Sequence, residues 1–272
     1  MTTEMQDTPG VEHAIDQLWY TSSSFGLRGN MGFQVRAASR GLLDKDSFRF
    51  ERISGLLYYY LPQGSSPYDT KPEEAPVCLL FTQLGGEKLL AHKVYAGKDP
   101  IGRPGNFFVH LLAGLPHDFS ARQAIGLWGA LDFWRQSEGD FERDALELDP
   151  VPYSTLAKPN KQLFSPDHPG VYACPLGNFG DYLAYAIRAY LSLGAGQSLF
   201  IAAPSETVAA LIMGIVEAVP DQLLNNATFS TYEQDVIHIS NTTIVGTCVL
   251  DNTQAFDLPA ACDGEAGRML NC

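Results

Sequence analysis

The chain has 272 residues and a formal net charge of −13, from 18 Lys and Arg against 31 Asp and Glu. Such an acidic chain repels phosphate backbones and anionic lipid headgroups, which excludes general nucleic-acid binding and docking on an anionic membrane. Apolar residues make up 45% of the chain and charged residues 18%, which predicts a globular fold with a substantial core.

The compartment is predicted from three features. The N-terminal segment is acidic and polar, which is not typical of a signal or transit peptide. The longest apolar stretch, roughly residues 208–219, is shorter than the ~20 residues that span a bilayer, and it contains Gly214 and Glu217. The five cysteines form no C-x-x-C motif, so we expect reduced thiols. The sequence therefore predicts a cytoplasmic protein without a membrane span.

The first 150 residues have mainly the patterns of strands separated by turns. Residues 48–53 alternate apolar and charged side chains, as in a half-buried strand, and Gly85-Gly86 is typical of a hairpin. Tyr58-Tyr59-Tyr60 is interpreted as strand packing, with base stacking as the alternative. Strands are predicted at 18–22, 33–37, 48–53, 56–61, 77–84 and 88–95, and residues 106–112 are interpreted as a further strand or as the start of an apolar helix.

A helix is predicted next, from residue 120 to about residue 136. Ser120 and Gln123 have the spacing of a capping box ahead of an apolar run, and Trp128 and Trp134 are expected to pack in the core. Residues 137–170 are first acidic and then rich in proline, which is typical of a domain junction.

The second half alternates between helices and strands. Helices are predicted at 181–193, 204–218 and 221–224, and strands at 198–203, 227–232 and 241–250, ahead of an exposed tail from residue 251. This order favours an α/β layer. The predicted fold is therefore α+β: a strand-rich N-terminal domain, residues 1–150, that ends in a helix, followed by a smaller α/β middle domain, residues 151–272.

The first candidate for chemistry is the glycine-rich segment 21–34. Its glycines recur at positions 26, 29 and 32, a spacing that matches neither a dinucleotide-binding loop nor a P-loop. Backbone N–H groups in such a loop can hold an anion, with Arg28 assisting. The alternative is a hairpin turn whose glycines supply positive φ angles.

The second candidate is the segment 98–110, where Arg103, Asn106 and His110 interrupt an apolar, turn-rich sequence. If residues 106–110 form a strand, Asn106 and His110 share one face, and an arginine beside them suits a carboxylate or phosphate ligand. The alternative is structural, with Asn106 capping a turn and His110 hydrogen-bonded in the core. No nucleophile accompanies His110, and the histidines lack metal-site spacing, so no catalytic residue, metal or cofactor is predicted.

Three segments with recognisable motifs follow one another along the chain. They are Tyr-Thr-Ser-Ser-Ser-Phe-Gly-Leu-Arg-Gly-Asn-Met-Gly-Phe-Gln at 20–34, Gly-Arg-Pro-Gly-Asn-Phe-Phe-Val-His at 102–110, and Ala-Thr-Phe-Ser-Thr-Tyr-Glu at 227–233 with Ile-Val-Gly-Thr at 244–247. In this order they resemble the N-terminal and middle domains of the bacterial GTPase-associated protein family. The resemblance covers most of residues 15–250.

The resemblance implies an adaptor or regulatory role, because members of that family are encoded beside small GTPases in systems of biological conflict or stress signalling. It supplies no established catalytic residues. We therefore expect a non-enzymatic adaptor of a bacterial defence system that docks on a small GTPase or companion protein.

The alternative is a sensor or enzyme acting on a small anionic ligand through Arg28, Arg103, Asn106 and His110. Exposure of these side chains in one pocket would favour the sensor. Burial with internal hydrogen bonds would favour the adaptor. The sequence predicts no oligomeric state.

Overall fold

Strands from both halves of the chain form one mixed β-sheet with helices packed against it. The structure is a computed structural model that describes residues 13–24, 26–27, 30–43, 48–130, 133–135, 146–156, 179–234, 242–247 and 267–271. The helices are α1 (Phe48–Ser54), α2 (Ala121–Ile125), α3 (Phe179–Leu191), α4 (Ser205–Ala218) and α5 (Asp221–Leu224).

The strands of the first part of the chain are β1 (Ala14–Ser23), β2 (Gly32–Ser39), β3 (Cys78–Leu84), β4 (Glu87–Lys98), β5 (Pro104–Leu115), β6 (Leu146–Leu148) and β7 (Val151–Pro152). Those of the second part are β8 (Ser198–Ala202), β9 (Phe229–Ser230), β10 (Ile244–Thr247) and β11 (Gly267–Asn271). Their order is β11-β8-β10-β9-β3-β4-β5-β1-β2-β6, and β7 pairs with β1.

The sheet changes character where the two halves meet. β3, β4, β5, β1 and β2 pair antiparallel, whereas β9, β10, β8 and β11 pair parallel. The junction is the antiparallel pair of β3 and β9, with Leu80 opposite Ser230 and Phe81 opposite Phe229. The predicted α+β, strand-rich class is confirmed. The division into domains 1–150 and 151–272 stays a prediction, and most of the proline-rich segment lies outside the described residues.

Each face of the sheet has its own apolar layer, because side chains alternate along a strand. Leu112 of β5 faces the layer that holds α2, α3 and α4, together with Leu90 and Leu211. Its neighbour Leu111 faces the opposite layer, which α1 covers with Ile53. The two layers explain why the central strands are nearly continuous runs of buried residues.

The predicted capping box is present, but the helix that it begins is short. The Ser120 N–H donates to Gln123 Oε1 at 2.8 Å, and the Gln123 N–H donates to Ser120 Oγ at 3.3 Å. The helix α2 nevertheless ends at Ile125, and Gly129 has a φ of +69°, which the right-handed helix does not allow. The predicted helix to residue 136 is therefore wrong in length, whereas Trp128 and Trp134 are buried as predicted.

Three further predictions are corrected. Residues 48–53 belong to the helix α1, since Phe50, Ile53 and Leu57 recur at helical spacing and pack on one layer. Residues 56–61 form no regular strand. The predicted exposed tail contains β11, which pairs parallel with β8; residues 251–266 lie outside the description.

The helix α4 is the best-buried helix in the described chain. It follows Pro204 as predicted, and Val208, Leu211 and Ile212 are fully buried between α3 and the sheet. Among the helices of the described ranges, none combines the length and apolar character that crossing a bilayer requires.

We predict that Leu211→Ala destabilises the protein by roughly 2–5 kcal/mol, because it leaves a cavity in a layer that is closed on every side. Urea unfolding followed by circular dichroism measures the loss. Leu191→Ala is the matched control: this leucine is 53% exposed, and its truncation should change stability by less than about 0.5 kcal/mol. Equal losses of stability in the two variants would contradict the burial of α4 between α3 and the sheet.

Candidate functional site

The glycine-rich segment 21–34 connects β1 to β2, as the hairpin alternative predicts. The Leu27 N–H donates to the carbonyl of Val35, so the loop folds back on its own second strand. A Cβ at position 26 would lie 2.6 Å from the Val35 carbonyl oxygen, so that only glycine fits there. Arg28 lies outside the described residues, and its role toward an anion stays a prediction.

A buried polar cluster lies where this loop leaves β1. The carboxamide oxygen of Asn106 accepts from Thr21 Oγ1 and from the Ser22 N–H, each at 3.1 Å. The Thr21 hydroxyl also reaches the carbonyl oxygen of Phe107 at 2.8 Å. Asn106 therefore ties the end of β1 to the start of β5, with its side chain buried and paired inside the protein.

Arg103 lies in the neighbouring turn, which Asp99 organises. The carboxylate of Asp99 accepts from the backbone N–H of Ile101 at 3.1 Å and of Arg103 at 2.9 Å, and from Arg103 Nε at 2.7 Å. Desolvation raises the pKa of Asp99, but these hydrogen bonds outweigh it and hold the pKa below its usual range. The guanidinium side chain is 56% exposed, so Arg103 both supports the turn and faces solvent.

Ser22 joins this turn to the polar cluster. Its hydroxyl lies 3.4 Å from Asp99 Oδ2, the same oxygen that accepts from Arg103 Nε. The structure thus brings Arg103 and Asn106 into one hydrogen-bonded region. His110 follows Asn106 on the same face of β5, as predicted, but about 13 Å further along the strand.

His110 belongs to a separate buried cluster. The Arg135 N–H donates to His110 Nδ1 at 3.2 Å, so the neutral ring carries its proton on Nε2 and donates to Gln17 Oε1 at 3.0 Å. Burial lowers the pKa of His110 to about 3, with further contributions from His92 and Arg135. The ring is therefore neutral and internally paired, which is the structural alternative for this residue.

His92 lies directly opposite His110 on β4. Its ring stacks on Trp134, with centroids 5.1 Å apart and planes inclined by 8°. Burial lowers the pKa of His92 to about 3, and within the described chain its Nδ1 has no hydrogen-bond partner. Two neutral imidazoles thus lie buried against the same ring, that of Trp134.

The structure exposes two tyrosine side chains that the sequence analysis assigned to strand packing. Residues 57–61 follow α1 without regular secondary structure, and within them Tyr59 points inward and donates its hydroxyl to the Pro76 carbonyl at 2.7 Å. Tyr58 and Tyr60 point outward, 51% and 59% exposed, and their rings stack with centroids 6.4 Å apart and planes inclined by 10°. We call Tyr58 and Tyr60 the tyrosine ladder.

Two buried side chains fix the backbone beneath the tyrosine ladder. Lys93 Nζ donates to the Tyr58 carbonyl at 3.1 Å, and the Tyr232 hydroxyl donates to the Tyr60 carbonyl at 2.9 Å. Lys93 also lies 3.9 Å from the carboxylate of Glu233. The ladder is therefore held by the sheet on both sides of the β3–β9 junction.

The thiol of Cys78 lies in this junction and is unreactive. Burial raises its pKa to about 12, and the nearby Glu233 charge adds to the effect. Within the ranges that the structure describes, no three His, Cys, Asp or Glu side chains are grouped as metal ligands.

We predict that the two buried histidines make the protein labile to acid. Their pKa of about 3 lies below the ~6.5 of an unfolded chain, so the unfolded state binds more protons and stability falls as the pH drops below about 6.5. His92→Phe keeps the stacking on Trp134 and removes one of the two histidines with a lowered pKa. The free energy of unfolding should then fall by up to about 1.4 kcal/mol less per pH unit than in the parent protein. Urea unfolding at pH 7, 6 and 5 measures it.

The control is Leu191→Ala, because this leucine is exposed and carries no titratable group. This variant should reproduce the pH dependence of the parent protein. If His92→Phe also reproduces it, the buried neutral ring is not the source of the acid lability.

Two curated relatives come from Mycolicibacterium smegmatis and share one name, "Putative ESX-1 scaffolding and assembly protein SaeB". The protein of strain MKD8 is 27% identical over 258 residues, which cover 92% of this chain and 30% of the relative. That of strain ATCC 700084 / mc(2)155 is 31% identical over 121 residues, 43% of this chain and 14% of the relative. The chain thus spans less than a third of the relatives' length. No solved structure matches it.

A family model described as GTPase-associated protein 1, N-terminal domain type 2, matches residues 14–153. The match begins with β1 and ends after β7, so it includes the glycine-rich loop, the polar cluster and the tyrosine ladder. It covers slightly more than half of the chain and agrees with the resemblance drawn from the motifs at 20–34 and 102–110. The chain therefore belongs to the GTPase-associated protein 1 family, with an N-terminal domain of type 2.

Proposed function

We propose that the chain is a cytoplasmic adaptor of a bacterial GTPase-linked conflict or stress system. It docks through the tyrosine ladder on a small GTPase or on a companion protein of the same system. Family membership supports the link to a GTPase, and the scaffolding and assembly named for the SaeB relatives supports a role in holding proteins together.

The observation that carries the proposal is a pair of exposed aromatic rings on a fixed backbone. Tyrosine is enriched at protein interfaces, because it offers a large contact area with a polar tip at little cost in side-chain entropy. Tyr58 and Tyr60 are already stacked, and Lys93 and Tyr232 anchor their carbonyl groups. Such preorganisation lowers the entropy lost on binding and favours a docking surface.

The buried reactive groups also favour docking over catalysis. The His92 and His110 rings are neutral and shielded from solvent, and Cys78 is held as a thiol. A general base or nucleophile has to reach its substrate, which none of these three does in the described structure.

We predict that the double variant Tyr58→Ala/Tyr60→Ala weakens binding of the GTPase encoded beside the chain's gene by at least ~30-fold, as expected when an aromatic hot spot worth about 2 kcal/mol is removed. Isothermal titration with purified GTPase, loaded with GDP or a GTP analogue, measures the dissociation constant and shows which nucleotide state is preferred.

Tyr185→Ala is the matched control, since this tyrosine of α3 is as exposed as Tyr60 and lies outside the family-matched residues. Its affinity should stay within threefold of the parent protein. If the double variant binds as tightly as the control, the tyrosine ladder is not part of the interface.

The sensor or enzyme alternative retains one supporting observation. Arg103 uses Nε for Asp99, while its terminal nitrogens form no hydrogen bond in the described structure and face solvent. With Arg28 they are the candidates for a small anion, whereas Asn106 and His110 are committed to internal partners. The burial of those two side chains supports the adaptor.

We predict that Arg103→Ala lowers stability by less than about 1 kcal/mol, because the exposed pair is screened and Asp99 keeps its two backbone hydrogen bonds. Thermal melts with phosphate, GDP and GTP test the alternative. We expect no ligand-induced shift in either protein. A shift in the parent and in the control Lys71→Ala, but not in Arg103→Ala, would establish an anion site instead.

A further inference from the structure

A second candidate site lies in the C-terminal part of the chain, outside the residues that the family model matches. It is an open cavity of about 640 Å³ between the end of α3, the turn that leads to β8, the helix α5 and the start of β10. This volume is in the range of pockets that bind small ligands or short peptide segments. We call this cavity the amide pocket.

The amide pocket is uncharged. The chain as a whole carries a net charge of −13, yet no Asp, Glu, Lys, Arg or His is among the described residues that line the cavity. Its polar groups are carboxamides and hydroxyls: Gln197, Gln222, Asn225, Asn226, Ser198, Thr242 and Thr243. An ion entering such a cavity would lose hydration without gaining a counter-charge, so the lining favours a neutral occupant.

Several of these polar groups have unused hydrogen-bonding capacity. The carboxamides of Gln222, Asn225 and Asn226 are exposed and form no hydrogen bond with the rest of the described chain. Each offers two donors and one acceptor oxygen. Thr242 is 1% exposed, and its hydroxyl oxygen has no partner among the described residues, which is a costly arrangement for a buried hydroxyl.

An apolar rim completes the cavity. Leu191 is the last residue of α3 and is 53% exposed. Leu223 lies within α5 and is 59% exposed. The Tyr190 hydroxyl donates to the Leu223 carbonyl at 3.0 Å and holds the two helices together. The rim therefore presents a fixed place for one apolar side chain beside the carboxamides.

The uncharged lining, the exposed carboxamides and the apolar rim together suit a peptide ligand better than a sugar or a nucleoside. Sugars and bases are usually held by stacking on an aromatic face, but Tyr190, the tyrosine of the lining, is buried with its hydroxyl engaged. Carboxamides complement a peptide backbone, since both carry one N–H side and one C=O side.

We propose that the amide pocket binds a neutral, extended peptide segment of a partner protein. The backbone amides of the segment pair with Gln222, Asn225 and Asn226, and a leucine-like side chain packs between Leu191 and Leu223. The inference rests on the proposed adaptor role only for the origin of the peptide in a partner protein, and it does not require the tyrosine ladder.

The test uses a defined probe, the capped peptide acetyl-Ser-Gly-Leu-Gly-Ser-amide, titrated into ¹⁵N-labelled protein and followed by NMR. We expect shift changes at residues 191–198, 222–227 and 242–243, with a dissociation constant below about 1 mM, as for weak ligands of this size. Matched peptides with Glu or Lys in place of both serines should bind at least fivefold more weakly, as should a peptide with Gly in place of Leu.

Variants locate the binding. Gln222→Ala and Asn226→Ala should each weaken the neutral peptide at least fivefold, because each removes a carboxamide that pairs with the peptide backbone. Both variants should fold normally, because the truncated side chains are exposed. Gln83→Ala removes an exposed carboxamide from the neighbouring cavity of about 400 Å³ and should leave the affinity unchanged.

Three results would overturn the proposal: no shift changes up to 5 mM peptide, shift changes outside the cavity, or unaltered affinity in both pocket variants. Tighter binding of the Lys peptide would also overturn it, because that result indicates general attraction to an acidic chain. The Tyr58→Ala/Tyr60→Ala protein should bind the peptide normally, so failure of the ladder and failure of the pocket are separate outcomes.

Discussion

The structure depends on a short antiparallel junction between β3 and β9, which joins the antiparallel and parallel parts of the sheet. Thr231 reinforces it: its N–H donates to the Leu79 carbonyl at 3.1 Å, and its hydroxyl accepts from the Leu79 N–H at 2.8 Å and donates to the Val77 carbonyl at 3.1 Å. A Cβ on Gly246 of β10 would lie 2.3 Å from the Thr231 carbonyl oxygen, so the next strand also depends on this position. The apolar layer that holds α2, α3 and α4 contains residues from both halves of the chain, which the junction brings together.

Elements with a strong local signal could be predicted from the sequence. The hairpin of β3 and β4 is marked by Gly85 and Gly86, which both have positive φ, and α4 by its apolar period after Pro204. The helix α1 was missed because over six residues alternation and helical period are hard to distinguish. The union of both halves in one sheet could not be predicted, since the junction has few residue pairs and its partners lie about 150 residues apart.

In the candidate site, too, some features could be predicted from the sequence and others could not. Arg103, Asn106 and His110 stood out as polar residues in apolar sequence, and strand alternation placed Asn106 and His110 on one face. Their partners could not be foreseen, because Thr21 and Gln17 approach only through the pairing of β1 with β5. The exposure of the tyrosine ladder could not be predicted for a related reason. It depends on Tyr59 being the one of three consecutive tyrosines that points inward, and the Pro76 carbonyl that accepts from its hydroxyl lies in another loop.

The anchor of the tyrosine ladder has a consequence for biosynthesis. The Tyr60 carbonyl accepts from the hydroxyl of Tyr232, which follows β9, and β9 is held in place by its pairing with β3. A nascent chain that has left the ribosome only as far as β5 contains both ladder tyrosines but lacks one of their two anchors. The ladder thus has both anchors only once residue 232 has left the ribosome, well after its own two tyrosines have been synthesised.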